Sequence, residues 1–170
     1  MMTMTAQRIH DESDDEPEDE HGRGRWLNFR ELYQTTPVDR IGLIRSGVSA
    51  ADFKTFVSGL DVQQEKVFTM LDIATATVNR KASRNELLSR EDSEKVVGMA
   101  KLIGQVETML EESGDPEQMQ DFDAARWLTH WMEEPIPALG GAAPADYMDT
   151  IEGQEMISKL LVTMQTGAYA

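Results

Sequence analysis

The stretch Leu71-Asp72-Ile73-Ala74-Thr75-Ala76-Thr77-Val78-Asn79-Arg80-Lys81 decides the fold of this chain. Asp72-Ile73 reads as a tight turn, and Ala74 to Lys81 as a short helix in which Val78 alone is a clear core residue. The other side chains are small, polar or basic. A helix that buries so little needs another use, and short polar helices after a tight turn are how helix-turn-helix modules offer side chains to the major groove of DNA. Arg80, Lys81, Arg84 and Arg90 come one after another within about ten residues.

Upstream, Ser49 is placed to cap a helix with Phe53, Phe56, Val57 and Leu60 on one stripe. Asp61 is a candidate cap for the next helix, which turns Val67, Phe68 and Leu71 inward. Val38 to Val48 lacks a clear period, although Ile41, Leu43 and Ile44 are expected to be buried. Before it, Trp26, Phe29, Leu32 and Tyr33 recur at spacings of three and four, predicting a short amphipathic turn or helix that ends at Thr35-Thr36-Pro37, because the residue before proline avoids the helical region.

Downstream, Ser89 and Asp92 resemble a capping box that opens the longest helix, Arg90 to about Glu112. Val96, Val97, Met99, Ala100, Leu102, Ile103, Val106, Met109 and Leu110 recur along it at helical spacing, and Gly114-Asp115-Pro116 ends it. A second module comes next. Phe122 to Met132 reads as a helix with Trp127 and Trp131 one turn apart, Pro135 to Gly141 as an irregular loop, and Pro144 to Met148 as a short helix. The last helix, Glu152 to Gln165, carries Met156, Ile157, Leu160, Leu161 and Met164. No strand run or internal repeat is found, so the expected fold class is all-α.

The 170 residues carry a formal charge of -15, unevenly spread. Residues 1–25 hold 8 acidic and 3 basic side chains, residues 26–95 hold 10 and 10, and residues 96–170 hold 13 and 3. The first segment, with its carboxylates crowded between Asp11 and Glu20, repels itself and has little to bury; it is expected to be a disordered tail. Such a tail is either a plain solvated leader or one that mimics phosphate or masks a basic face. The expected division is therefore a tail over 1–25, a helix-turn-helix domain with its long connecting helix over 26–113, and a small helical domain over 114–170.

Several classes of function find no support. Zero cysteines exclude a disulfide scaffold, a thiolate metal site and a cysteine nucleophile, and fit a reducing cytoplasm. No apolar run approaches the length of a membrane span, and the N-terminus is acidic where a secretory signal would be basic. The three histidines, His10, His21 and His130, are scattered, so no metal centre or nucleophilic triad can be assembled from them. Gly140-Gly141 lacks the Lys-Ser/Thr of a phosphate loop. No catalytic residue, metal ligand or cofactor is expected. The methionines are core filler, or less often an adaptable partner surface.

The run from Phe122-Asp123-Ala124-Ala125-Arg126-Trp127-Leu128 through Pro137-Ala138-Leu139-Gly140-Gly141, Pro144, Met148-Asp149-Thr150-Ile151-Glu152-Gly153 and Gly167-Ala168-Tyr169-Ala170 resembles the toxin-binding domain of the Xre/MbcA/ParS antitoxins. Val48 to about Leu110 is similar to the Xre-type helix-turn-helix domain that accompanies it, with Asp72 where the turn more usually carries glycine. The resemblance implies the antitoxin of a type II toxin–antitoxin pair, whose toxin is usually a RES-domain protein acting on NAD. Such antitoxins occlude the toxin's active site and repress their own operon. Toxin contact would then fall to Leu139, Gly140, Gly141, Asp149, Gly167, Ala168, Tyr169 and Ala170, with Asp149 and Thr150 capping the last helix. Pro137 to Gly141 is either a toxin-facing loop or only a tight connection.

DNA contact would fall to Thr75, Thr77, Asn79, Arg80, Lys81 and Arg84, since Asn can pair with adenine and Arg with guanine or phosphate. One copy offers one half-site, so a homodimer or larger assembly is expected on operator DNA. The competing reading is a stand-alone helix-turn-helix regulator whose C-terminal helices only dimerise.

Overall fold

The computed structural model describes residues 27–114 and 116–167. The expected tail, Trp26 and the terminal Ala168, Tyr169 and Ala170 lie outside them. The described residues form helices α1 (Phe29–Gln34), α2 (Pro37–Ser46), α3 (Ala50–Ser58), α4 (Gln64–Met70), α5 (Thr75–Ser83), α6 (Arg90–Ser113), α7 (Pro116–Met119), α8 (Ala124–Trp131) and α9 (Ile151–Gln165), with 3-10 turns at Pro137–Leu139 and Pro144–Tyr147. The class is all-α; the sole extended pairing among these residues is one bridge between Ser49 and Leu87.

Helix α6 is the organising element. Its 24 residues span about 36 Å, and Val96, Val97, Met99, Ala100, Leu102, Ile103 and Val106 are all buried. Because apolar side chains lie on more than one face of it, α6 can pack against α1, α2, α8 and α9 at once. One continuous cluster of buried side chains results, from Leu32 through Phe53, Phe68 and Val78 to Met148, Ile157 and Leu161.

Polar ties fix the register between α6 and α9. Buried Gln154 donates from Nε2 to the carbonyls of Lys95 and Met148, at 3.1 Å each. Gln105 Nε2 donates to the carbonyl of Ser158 at 2.9 Å, and Ser158 Oγ donates back to Gln105 Oε1 at 2.7 Å. Buried amides satisfied in this way orient the helices where apolar packing alone would tolerate a slip.

Side chains close several helix ends, two of them, Ser49 and Ser89, at the expected caps. Thr36 Oγ1 accepts from Asp39 N–H, with Pro37 at the first position of α2. The Arg40 guanidinium donates to the carbonyls of Leu32, Tyr33 and Thr35, which α1 leaves unpaired at its end. Ser49 accepts from Asp52 N–H and Ser89 from Asp92 N–H; at Ser89 this is the forward half of the expected capping box.

Two expectations fail in the first half of the chain. Asp61 caps nothing: α4 begins after Gln63 with no side-chain cap, and Asp61 faces His130 at 3.9 Å instead. Ile41 is 44% exposed, while Leu43 and Ile44 are half-buried against the core. The reason is that α2 covers α6 at a groove edge, where Ile41, Ile44, Val97 and Ile151 line an open cleft.

Glu107, on α6, is half-buried. Burial pushes its carboxyl above the usual carboxylate range, aided by Asp123 and opposed by Arg30. Ionising it therefore costs more in the fold than in the unfolded chain. Stability falls as pH rises from the unfolded value near 4.5 through the raised folded value, and stays reduced above it. Glu107→Gln is expected to raise the melting temperature at pH 7 by about 2 °C, solvent screening keeping the gain small. The gain should vanish by about pH 3, where both states of the parent are protonated; thermal melts at the two pH values check it.

Candidate nucleic-acid and partner interfaces

The turn between α4 and α5 is built by its backbone. Asp72 has φ 52°, the left-handed region normally left to glycine; a short polar side chain is among the few others that tolerate it. Ile73 N–H donates to the Phe68 carbonyl at 2.8 Å and Asp72 N–H to Thr69 at 3.0 Å, closing the end of α4. Beyond α5, Asn85 has φ 55°. Glu86 N–H donates to the Lys81 carbonyl and Asn85 N–H to Ala82, the paired bonds of a Schellman ending. Ala50 N–H donates to the Glu86 carbonyl and Leu88 N–H to Val48 at 2.8 Å, stitching the segment after α5 to the start of α3. The helix is thus clamped at both ends while its outer face stays clear.

On α5, Val78 is fully buried, and Thr75, Thr77 and Lys81 are half-buried on its flanks. Asn79, Arg80 and Arg84 are exposed. All six expected DNA-contacting residues therefore sit on one helix or its C-cap, with Asn79 and Arg80 on the outward stripe. Ala76 and Ser83 share that stripe and were not anticipated; they have no charge or amide to draw notice in a sequence. Among the described residues, Arg80, Lys81, Arg84 and Arg90 enter no ion pair.

The second module presents a self-closed loop. Gly140 N–H donates to the Pro137 carbonyl, Gly141 N–H and Leu139 N–H to Ile136, Ala142 N–H to Leu139, and Ile136 N–H back to Ala142. Gly140 and Gly141 have φ of 66° and 88°, and open space surrounds both. Their glycines answer the backbone conformation rather than crowding. Leu139 turns partly into the core, so only the two glycines of the Leu139–Gly141 set are fully presented.

Asp149 does not cap α9. Thr150 alone does, its Oγ1 accepting from Gly153 N–H at 3.0 Å. Asp149 is exposed and lines a groove with Asp146 and Glu133 of its own module and Glu65 and Asp72 from the α4 side; the one cation there, Lys66, pairs with Glu133 at 3.1 Å. Gly167, at φ 69°, ends α9 in a left-handed turn. An aromatic ladder was legible only in part. Trp127 stacks on Trp131 with ring centroids 5.9 Å apart, and Phe122 adds to it at 6.2 Å; Phe122 and Trp127 remain exposed while Trp131 is buried.

No group of histidine, cysteine or carboxylate side chains among the described residues is arranged to hold a metal ion. None of their helices is long and apolar enough to cross a membrane. Fold and surfaces together define a helix-turn-helix protein with an appended helical module whose glycine loop and carboxylates face solvent.

Comparisons with known proteins narrow this class. Residues 39–101 match the antitoxin Xre-like helix-turn-helix domain, and residues 121–167 the antitoxin Xre/MbcA/ParS C-terminal toxin-binding domain. A relative from Sphingobium sp. (strain YBL2), the "Prs ADP-ribosylating antitoxin", is 51% identical over 142 residues, covering 84% of this chain and 87% of its own length. The chain belongs to the Xre/MbcA/ParS antitoxin family, whose members are binding proteins rather than enzymes.

Proposed function

We propose that the chain is the antitoxin of a type II pair, that its second module (114–170) binds and occludes the active site of a RES-domain toxin, and that its first (26–113) represses its own operon in the cytoplasm. The toxin's class is inferred from two directions. The resemblance points to NAD-consuming RES enzymes, and the relative's name couples an antitoxin to ADP-ribosylation, a reaction that draws on NAD. The observation that carries the reading is the joining, through the shared helix α6, of an α5 face with uncommitted cations to a module whose glycine loop and carboxylates face solvent. A stand-alone regulator would need the helix-turn-helix but gives no account of the toxin-binding match over 121–167.

Toxin contact is assigned to Leu139, Gly140, Gly141 and Asp149, together with the terminus Gly167 to Ala170, where an aromatic beyond the left-handed Gly167 would act as a plug. The decisive experiment is co-expression and pull-down with the protein encoded by the adjacent gene, scored by growth and cellular NAD. Co-purification with restored NAD is expected; a toxic neighbour that the chain neither binds nor restrains would refute the reading. Deleting Gly167 to Ala170 should weaken protection, with growth of co-expressing cells falling toward that of cells with toxin alone. Undiminished protection would remove the plug. Operator binding is assigned to a homodimer, because one copy carries one recognition helix.

A further inference from the structure

We infer that the acidic segment Asp11–Glu20 of this same chain docks on the cationic face of α5 and competes there with DNA. The inference rests on the reading of α5 as a DNA-contacting helix, and three observations carry it. The first is charge. Arg80 and Lys81 of α5 and Arg84 at its C-cap have no ion-pair partner among the described residues, in a chain whose net charge is -15. Cations so placed are expected to draw whatever carboxylates can reach them.

The second is position. The described chain starts at Leu27, beside α1. The Phe29 ring of α1 stands 5.5 Å from Phe56 of α3, and α3 packs directly on α5. Two axis-to-axis steps of about 10 Å and the radius of α5 itself put its outward stripe about 25 Å from the point where the N-terminal segment joins the fold. Glu20 is seven residues before Leu27 and Asp11 sixteen, giving them reaches of about 24 and 54 Å when extended. Glu20 reaches the stripe only at full extension, whereas the carboxylates from Asp11 to Glu16 span the gap with slack.

The third is charge density. Eight carboxylates fall within the ten residues from Asp11 to Glu20. Extended, they present one negative charge per about 4 Å, close to the 3.4 Å per phosphate along the axis of a single DNA strand. Tethering supplies a local concentration in the millimolar range, so each contact can be weak and the face still be occupied. DNA must displace the segment, and conditions that screen or neutralise it release the helix.

The chain has no cysteine, so Glu16→Cys places a unique nitroxide label in the full-length protein. At about 50 mM salt the amide signals of Thr75 to Arg84 are expected to lose at least about half their intensity relative to the reduced label, while those of α9 keep theirs. The loss should disappear at about 0.5 M salt and in an Arg80→Gln, Lys81→Gln, Arg84→Gln variant. Absent broadening, or broadening spread evenly over the chain, would overturn the contact.

Competition is read separately. Asp→Asn and Glu→Gln changes at all eight carboxylates should tighten binding to a duplex covering the region upstream of the gene about tenfold at 50 mM salt, and barely at 0.3 M. Equal affinity at low salt would refute the competition. If neither protein binds the duplex at any salt, the reading of α5 as a DNA helix fails, while the label still decides the contact.

Discussion

Gly153→Ala is expected to lower the melting temperature by about 10 °C and to abolish protection against the toxin, although it adds a single methyl group. A Cβ at this position would lie 1.8 Å from the Tyr147 carbonyl oxygen and 2.8 Å from its carbon. Those are backbone atoms, so no side chain can swing away, and the 3-10 turn Pro144–Tyr147 must separate from the start of α9. Met148, fully buried beside that turn, would be pulled from the core, and Gln154 would lose its bond to the Met148 carbonyl. Overpacking of this kind costs about 1–3 kcal/mol, and the lost contacts raise it to about 3 or more. At roughly 2–4 °C per kcal/mol for a chain of this size, the drop comes to about 10 °C. Differential scanning calorimetry checks it; a variant melting within about 2 °C of the parent would mean the two backbones are not in such close approach.

Arg80→Ala with Lys81→Ala is the second large effect, and it should leave folding almost untouched. Arg80 is exposed and Lys81 half-buried, and neither takes part in an ion pair among the described residues. Each phosphate contact removed takes about one counterion from the salt dependence of binding. A lost base contact adds about 1–3 kcal/mol where Arg80 reaches guanine. Binding to the upstream duplex at about 0.1 M salt should fall about 100-fold, with the slope of log affinity against log salt reduced by nearly two. Toxin co-purification should persist, because α5 lies outside the second module. Intact duplex binding in a salt-controlled shift assay would move the DNA contact off this helix.

The two effects also separate the two halves of the protein. Gly153 acts through close backbone approach at the partner module and Arg80 through uncommitted charge on α5, so the double change should fail in both assays with little coupling between them.

Several features were legible in the sequence because they depend on a residue and its near neighbours. The long periodic run Val96 to Leu110 could only be a helix with much to bury, and the polar stretch Ala74 to Lys81 could only be a helix with little. Ser49, Ser89 and Thr150 cap α3, α6 and α9, as side-chain oxygens do for the first free N–H groups of a helix. The glycines at 140, 141 and 167 answer to left-handed backbone, a local demand. Family resemblance rested on the same local units, Pro137 to Gly141 and Asp149 to Gly153.

The expectations that failed were those that needed a distant neighbour. Ile41 is exposed because α2 sits at a groove edge, which no period along the chain encodes. Asp61 and Asp149 carry the right chemistry for caps, but the chain enters α4 at Gln63 and α9 at Thr150, leaving Asp61 to face His130 and Asp149 to line a groove of other carboxylates. The reason for Gly153 was hidden likewise: its place in the motif is plain, but the Tyr147 carbonyl that excludes any side chain there comes from the folded turn. The sequence by itself determined the helices, their caps and the uneven charge. Only the tertiary structure decided that α6 serves as a shared spine for both modules, because burial on several faces of one helix depends on partners far along the chain, such as Phe29 against Gly104, and helical periodicity records which residues are apolar without recording what covers them.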